Sequence, residues 1–236
     1  MNYRKEKTIF RKLQKKGFMP KHVAEVGVYQ PETSNVYDYI QMDVRTTLVE
    51  PDPRSIELIK EHFSGMNNIT LHQVAIYERN GKIELAQRDA STFVSVLESS
   101  PAIVNDSYRL NKEDTFIVEA KKFDEIDDGS IDLLSVDVEG SEWYVIQNLV
   151  SRPAVISIET HGAIYVNPRI DDIKRWMADN DYIIWYKDKS DSIFFKRGLI
   201  NVTFIDKAKL LLYQLYLKIR RIRKIVKKSV KKVFNE

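Results

Sequence analysis

The 236 residues include 43% hydrophobic and 30% charged side chains, the balance of a soluble globular chain long enough for one sizeable core plus additions. There is no cysteine, which excludes disulfides, thiolate catalysis and cysteine-based zinc sites and suits a reducing cytoplasm. The net charge of +3 hides an asymmetry: residues 201–236 hold 11 Lys/Arg against Asp206 and Glu236, a balance of +9, so the first 200 residues sum to −6.

The basic opening MNYRKEKTIFRKLQKKG has no apolar core of the signal-peptide kind. No stretch reaches the roughly 18 uncharged apolar residues that a membrane span requires. The expected organisation is a basic N-terminal helix in 1–20, a catalytic domain in 21–198 and a basic tail in 199–236.

In chain order, Ile9 and Leu13 mark one face of the N-terminal helix, which Gly17 and Pro20 punctuate. His22–Val28 is the first apolar run, read as a strand, and Arg45–Val49 the second. Pro53–Phe63 has helical spacing, with Ile56, Ile59 and Phe63 on one face. Residues 69–76 form a third run. Asn80-Gly81 then predicts a hairpin turn between Ile76 and Lys82–Leu85.

Phe116–Ala120 alternates as a strand, and a short helix is expected at Phe123–Ile126. Next comes IDLLSVDVEGSEWYVI, a strand ending near Asp137, a turn, and a helical pattern from Trp143 to Val150. Ala154–Glu159 is another strand, followed by a helix over Arg169–Met177. Tyr182–Tyr186 and Ser192–Phe195 close as an antiparallel pair. Strands that alternate with helices predict a mostly parallel α/β sheet covered on both faces.

The chemistry gathers at strand ends, where open α/β sheets bind ligands. Strand one ends in Glu25-Val26-Gly27, and strand two in Glu50-Pro51-Asp52. A dinucleotide fingerprint needs three glycines to bring a pyrophosphate to a helix N-terminus. One glycine beside an acid makes a poor phosphate cradle and suits a cationic, hydroxyl-bearing ligand. Glu50 stands where an acid grips ribose hydroxyls in doubly wound folds, or it caps the helix that begins near Pro53. A nucleoside with a positive centre, such as S-adenosylmethionine, fits this set. Asp137 and Glu139 either cap the following helix or project into the site.

The ordered pieces AEVGVYQPETSN, TTLVEPDP, ITLHQVAIYERNGKIEL, VEAKKFDEI, IDLLSVDVEGSEWYVIQNL and VISIETHG resemble the FkbM family of S-adenosylmethionine-dependent methyltransferases over about residues 22–196. The resemblance implies a class I methyltransferase fold: a Rossmann-like, mostly parallel sheet with a C-terminal antiparallel hairpin, here with a basic amphipathic helix added. It implies O-methylation of a sugar hydroxyl in a glycan, glycolipid or related metabolite. By position, Glu25, Gly27 and Tyr29 would line the methionine moiety, Glu50 the ribose, and Gln73, Val74 and Ala75 the adenine. Asp137 would face the methyl donor. Pro31 departs from the usual pattern, which has a glycine four positions after Gly27.

A sugar hydroxyl is a weak nucleophile, so a base is useful. Asp137 and His161 are the candidates, His161 for its pKa near neutrality or else as a structural histidine. Asp137, Glu159 and His161 could form a divalent-metal site, but the spacing demands no metal and none is assigned. Acceptor recognition is expected in Asp89–Phe93 and Ser99–Asp114. The rival readings are a nicotinamide-dependent oxidoreductase on a similar sheet and a non-catalytic scaffold at a membrane.

From Leu210 onward, apolar residues at 212, 215, 219, 222, 226, 230 and 233 form one stripe, with lysines and arginines on the other faces. This pattern predicts a helix lying in an anionic membrane interface. A helix–helix contact or oligomer through the same stripe ranks second. Nucleic acid ranks last, because the body is acidic and carries no recognition motif. The expected location is cytoplasmic, peripheral at the membrane.

Overall fold

The computed structural model describes residues 5–88, 91–94, 115–162 and 164–234. The strands are β1 (His22–Val26), β2 (Arg45–Val49), β3 (Ile69–His72), β4 (Ala75–Ile76), β5 (Gly81–Arg88) and β6 (Ser91–Val94). They continue with β7 (Thr115–Lys121), β8 (Leu133–Val136), β9 (Val155–Glu159), β10 (Tyr182–Lys187) and β11 (Asp191–Lys196). The helices are α1 (Thr8–Lys15), α2 (Tyr37–Gln41), α3 (Pro53–His62), α4 (Glu142–Ile146), α5 (Ile170–Asp179) and α6 (Phe204–Phe234).

Seven strands form the main sheet in the order β10-β11-β9-β8-β1-β2-β3. All pairings are parallel except those of β11, which runs antiparallel between β9 and β10. This is the class I methyltransferase arrangement. The chain leaves β1 toward β2 and β3 on one side and later fills β8, β9 and β11 on the other. The strand order therefore reverses between β1 and β8, and the crevice at their carboxyl ends is the expected ligand site.

Every residue of β1, β8 and β9 is buried, as expected for parallel strands covered on both faces. The period-two alternation sorts them. Val23, Leu133 and Val155 face one core with Leu48 and Phe195, where α1, α2 and α3 contribute Leu13, Ile40 and Ile59. Ala24, Val136 and Ile158 face the other, against Val145 of α4 and Ile173 of α5. The N-terminal helix buries Ile9, Phe10 and Leu13 in the first core. Asp52 caps α3 by accepting from the Arg54 N–H at 3.1 Å, with Pro53 at the first helical position.

The structure departs from the sequence pattern at two elements. Ile76 and Lys82–Leu85 do not pair across Asn80-Gly81: in a second sheet, of order β4-β7-β5-β6, strand β7 lies between them. Asn80 instead accepts from the Lys122 N–H at 3.0 Å, tying the turn to the segment after β7. The helix expected to run from Trp143 to Val150 is shorter, spanning Glu142–Ile146. Residues 99–114 and Asp89-Ala90, where acceptor recognition is expected, lie outside the described residues.

The C-terminal helix begins at Phe204 rather than Leu210 and packs along the edge strand β10. Its start is tied to α1 by Lys16 Nζ, 2.9 Å from Asp206. The predicted stripe points outward: Leu212, Leu215, Ile219, Ile222 and Val226 are all exposed. Among the described residues, no helix is long and apolar enough to cross a membrane.

Candidate active site

The site is built from three strand ends. Gly27 leaves β1 at φ +83°, and a β-carbon there would lie 1.8 Å from the carbonyl oxygen of Asp137. The loops after β1 and β8 thus touch backbone to backbone, which only glycine permits. Each loop also holds a non-glycine residue in the left-handed region, Tyr29 at φ +56° and Glu139 at φ +54°. Such strain persists only where surrounding contacts impose it, and it concentrates at ligand sites.

Two buried glutamates impose it on the first loop. Glu50 Oε2 accepts from the N–H groups of Val28 and Tyr29, both at 2.9 Å, and Oε1 accepts from Asp52 N–H at 2.9 Å. Glu50 does not itself cap α3, which Asp52 does. Glu25 accepts from the Ser34 hydroxyl and from Asn35 N–H at 2.8 Å. It thereby holds the far end of the loop, where Pro31 opens a single 3₁₀ turn. With Pro31 starting that turn, the loop closes without a glycine at that position. Burial pushes the Glu25 carboxyl up to about 7 and raises that of Glu50.

The second loop is organised by Glu142, which is fully buried. Its Oε1 accepts from Val138 N–H at 3.2 Å and Gly140 N–H at 3.0 Å, while Asn167 donates to Oε2. Asp137, Glu142 and Glu159 bring carboxylate oxygens within 4.8 Å of one another. Burial first, then the neighbouring acids, raises Asp137 and Glu159 well above the carboxylate range, and burial lifts Glu142 to about 7.

A cavity of about 560 Å³ opens over these loops, within the range of small-molecule sites. Val49, Val74, Ala75, Ile76 and Leu85 give it an apolar wall. Glu25, Glu50, Asp137, Glu139, Asp188 and Asp191 give it acid, against the single cation of Lys189 among the described lining residues. These acids disfavour a pyrophosphate and favour a positive centre, which would in turn favour their ionised forms. An apolar slot for a purine beside acids for hydroxyls and a sulfonium fits S-adenosylmethionine, whereas the donor set does not fit a nicotinamide dinucleotide.

Of the residues singled out in the sequence, Glu25, Gly27, Tyr29, Glu50, Val74, Ala75 and Asp137 come together on this cavity. Gln73 is exposed and lies off its wall. His161 also stands apart, and its geometry is that of a structural histidine. Nε2–H donates to the Asp188 carbonyl at 3.2 Å, leaving Nδ1 to accept from Thr160 Oγ1 at 2.9 Å. Burial, followed by the charge of Lys187, lowers its pKa to about 4. Both ring nitrogens are committed and the ring is neutral, so it is not positioned to take a proton from a ligand in the cavity.

Sequence reasoning missed Asp188, Ser190 and Asp191, which the β10–β11 turn folds over the cavity. Asp191 accepts from Ser157 Oγ at 3.1 Å and Ser190 Oγ at 2.8 Å, and burial raises its carboxyl to about 6. Its signal was an acid opening an otherwise apolar edge of the final hairpin. In the acidic cluster, Glu142 occupies the place that sequence reasoning gave to His161.

The model for the methyltransferase FkbM domain matches residues 23–184. A comparison with curated proteins gives no match. Among solved structures, the ribosomal protein L11 methylase of Lactobacillus delbrueckii subsp. bulgaricus is 12% identical, with a TM-score of 0.42 over 80% of this chain and 76% of its own. Precorrin-6y C5,15-methyltransferase of Geobacter metallireducens is 13% identical, with a TM-score of 0.38 over 83% of this chain and 93% of its own. Aeropyrum pernix fibrillarin, in complex with natively bound S-adenosyl-L-methionine, is 13% identical, with a TM-score of 0.40 over 79% and 73% respectively.

Proposed function

The chain belongs to the FkbM methyltransferase family, and from that premise we propose that it methylates a sugar hydroxyl of a glycan, glycolipid or related metabolite. S-adenosylmethionine, when bound, supplies a methyl group already activated on its sulfonium. The chain's own tasks are to hold the donor, align the acceptor oxygen and receive its proton.

One observation carries the reading: an acid-rich, half-apolar cavity at the carboxyl ends of β1, β2 and β8. Glu25, Gly27 and Tyr29 take the methionine end, the acid facing the positive centre. Glu50 serves the ribose. Three of its four acceptor directions hold backbone N–H groups, leaving about one for a hydroxyl. Val74 and Ala75, with Leu85, cover the adenine. Asp137, recessed at the end of β8, is the carboxylate that accepts the hydroxyl proton.

The test is mass spectrometry of host glycans with and without this protein, paired with turnover of labelled donor on a glycan panel. One lost methyl on a carbohydrate oxygen is the expected result. Donor binding with no transfer to any carbohydrate would sink the acceptor assignment, and binding of a nicotinamide cofactor instead would sink the enzyme class.

The tail supports a second element of this reading, an anionic lipid surface as partner. Its outward stripe is apolar, and Lys218, Arg223, Lys224 and Lys227 expose cations beside it. Charge complementarity selects an acidic membrane, where each Lys or Arg near the surface contributes on the order of 1 kcal/mol. Such placement suits a lipid-linked acceptor.

A further inference from the structure

We propose that Asp137, Glu142 and Glu159 bind one hard divalent cation of the Mg²⁺/Mn²⁺ class at the inner edge of the methyl-transfer cavity. The placement follows from the sheet. β8 and β9 are adjacent parallel strands with Val136 opposite Ile158, so Asp137 and Glu159 are the next residues of each strand. Glu142, on the first turn of α4, reaches the same point from above. One oxygen from each lies within 4.8 Å of the other two. Ligands at about 2.1 Å from a six-coordinate Mg²⁺ sit roughly 3.0 to 4.2 Å apart, so small side-chain adjustments close the site.

Proximity of acids alone would be a weak argument. The second observation is Glu159 itself: it is 8% exposed, and its Oε2 is buried with no hydrogen-bond partner among the described residues. An orphaned carboxylate oxygen in the interior forfeits its hydration without return. Nor does any lysine, arginine or histidine form an ion pair with the three acids among the described residues. Yet Glu142 is oriented, not idle: Val138, Gly140 and Asn167 all donate to it. Hydrogen bonds of this kind fix ligating carboxylates in metal sites.

An all-oxygen set without histidine or cysteine selects hard cations over zinc or copper. The binding claim stands on geometry alone, whereas the cation's role rests on the methyl-transfer reading. Each acid lends one oxygen, which leaves the second oxygen of Asp137 facing the cavity. An acceptor hydroxyl that joined the coordination sphere would be more acidic and would pass its proton to that oxygen, while its own oxygen would bond the methyl carbon as the sulfonium C–S bond breaks and the electron pair leaves with the sulfur of S-adenosylhomocysteine.

The experiment uses full-length protein stripped with chelator and titrated with Mn²⁺, read by electron paramagnetic resonance with neither donor nor acceptor present. It therefore separates failure of the cation site from failure of the methyl-transfer reading. One Mn²⁺ per chain is expected, displaced by excess Mg²⁺ and weakened more than about tenfold in Glu159→Gln. Should Glu159→Gln not fold by circular dichroism, Glu159→Asp, shorter by one methylene, serves with the same expected direction. No stoichiometric binding by the wild type overturns the proposal outright, as does a folded variant that binds as tightly as the wild type.

Discussion

A β-carbon on Gly27 would meet the carbonyl oxygen of Asp137 at 1.8 Å, so the loops after β1 and β8 are fixed against each other by backbone contact. The neighbouring atom is main chain and cannot swing aside. Gly27→Ala therefore adds overpacking to the cost of a left-handed alanine, together about 2–4 kcal/mol. Urea unfolding should show that loss, and calorimetry should show donor binding falling below detection. Wild-type stability in this variant would mean the two loops are not held as described.

Glu50 makes a related prediction on the other side of the first loop. Its carboxylate satisfies the N–H groups of Val28, Tyr29 and Asp52, and Glu50→Ala orphans all three. The expected cost is about 2–3 kcal/mol in stability, with donor affinity reduced more than about tenfold. Glu50→Gln, which keeps one acceptor oxygen, should fall between. Equal donor affinity in all three proteins, measured by titration calorimetry, would remove Glu50 from the site.

The sheet was legible because its central strands are buried on both faces, so Val23–Val26 or Leu133–Val136 reads as strand whatever lies beyond it. The hairpin at Asn80-Gly81 failed for the opposite reason. The turn signal is local, but the partner of both flanking strands is β7, which arrives from residue 115 onward. The same division runs through the site. Glu25, Gly27, Glu50 and Asp137 were visible as polar groups at strand ends. Asp191 and the Glu142–Asn167 pair depend on contacts 25 or more residues away in sequence, which no spacing rule encodes. His161 drew notice through its intrinsic pKa, and burial with two committed nitrogens removed what made it attractive.

Stability should depend on pH through Glu25. Its folded value of about 7 lies above the 4.5 of a free glutamate, so the folded chain holds the proton more tightly than the unfolded one. Its stabilising share is complete below pH 4.5 and is lost as pH rises through about 7, amounting to about 3 kcal/mol between pH 4.5 and 8. Denaturant melts of wild type and Glu25→Gln at pH 5 and pH 8 isolate it. Parallel curves for the two proteins would show that Glu25 ionises normally.

Variants at Asp137 and His161 test which of the two takes part in the proposed chemistry. Asp137→Asn removes the carboxylate proposed to accept the hydroxyl proton and should lower kcat by about 10²–10⁴. His161→Gln should retain most turnover, since among the described residues its ring bonds Thr160 and the Asp188 carbonyl. Any loss should appear in stability instead, at about 1–2 kcal/mol. Comparable kcat losses in both variants would return His161 to the chemistry.

The tail predicts a phenotype that leaves the domain untouched. Leu215, Ile219 and Ile222 are 54%, 44% and 62% exposed, while the opposite side of α6 lies along β10. Replacing all three by serine removes apolar area from the outward stripe without opening a core, so the melting temperature should hold within a degree or two. On a membrane the same change removes the area that enters the interface, at about 1.5 kcal/mol or more per side chain. Flotation on vesicles rich in acidic lipid should be strong for wild type, weak on neutral vesicles and lost in the triple variant. Equal flotation of the two proteins would assign vesicle binding to charge alone. A wild type that instead forms dimers, lost in the triple variant and indifferent to lipid, would assign the stripe to a second copy of the chain.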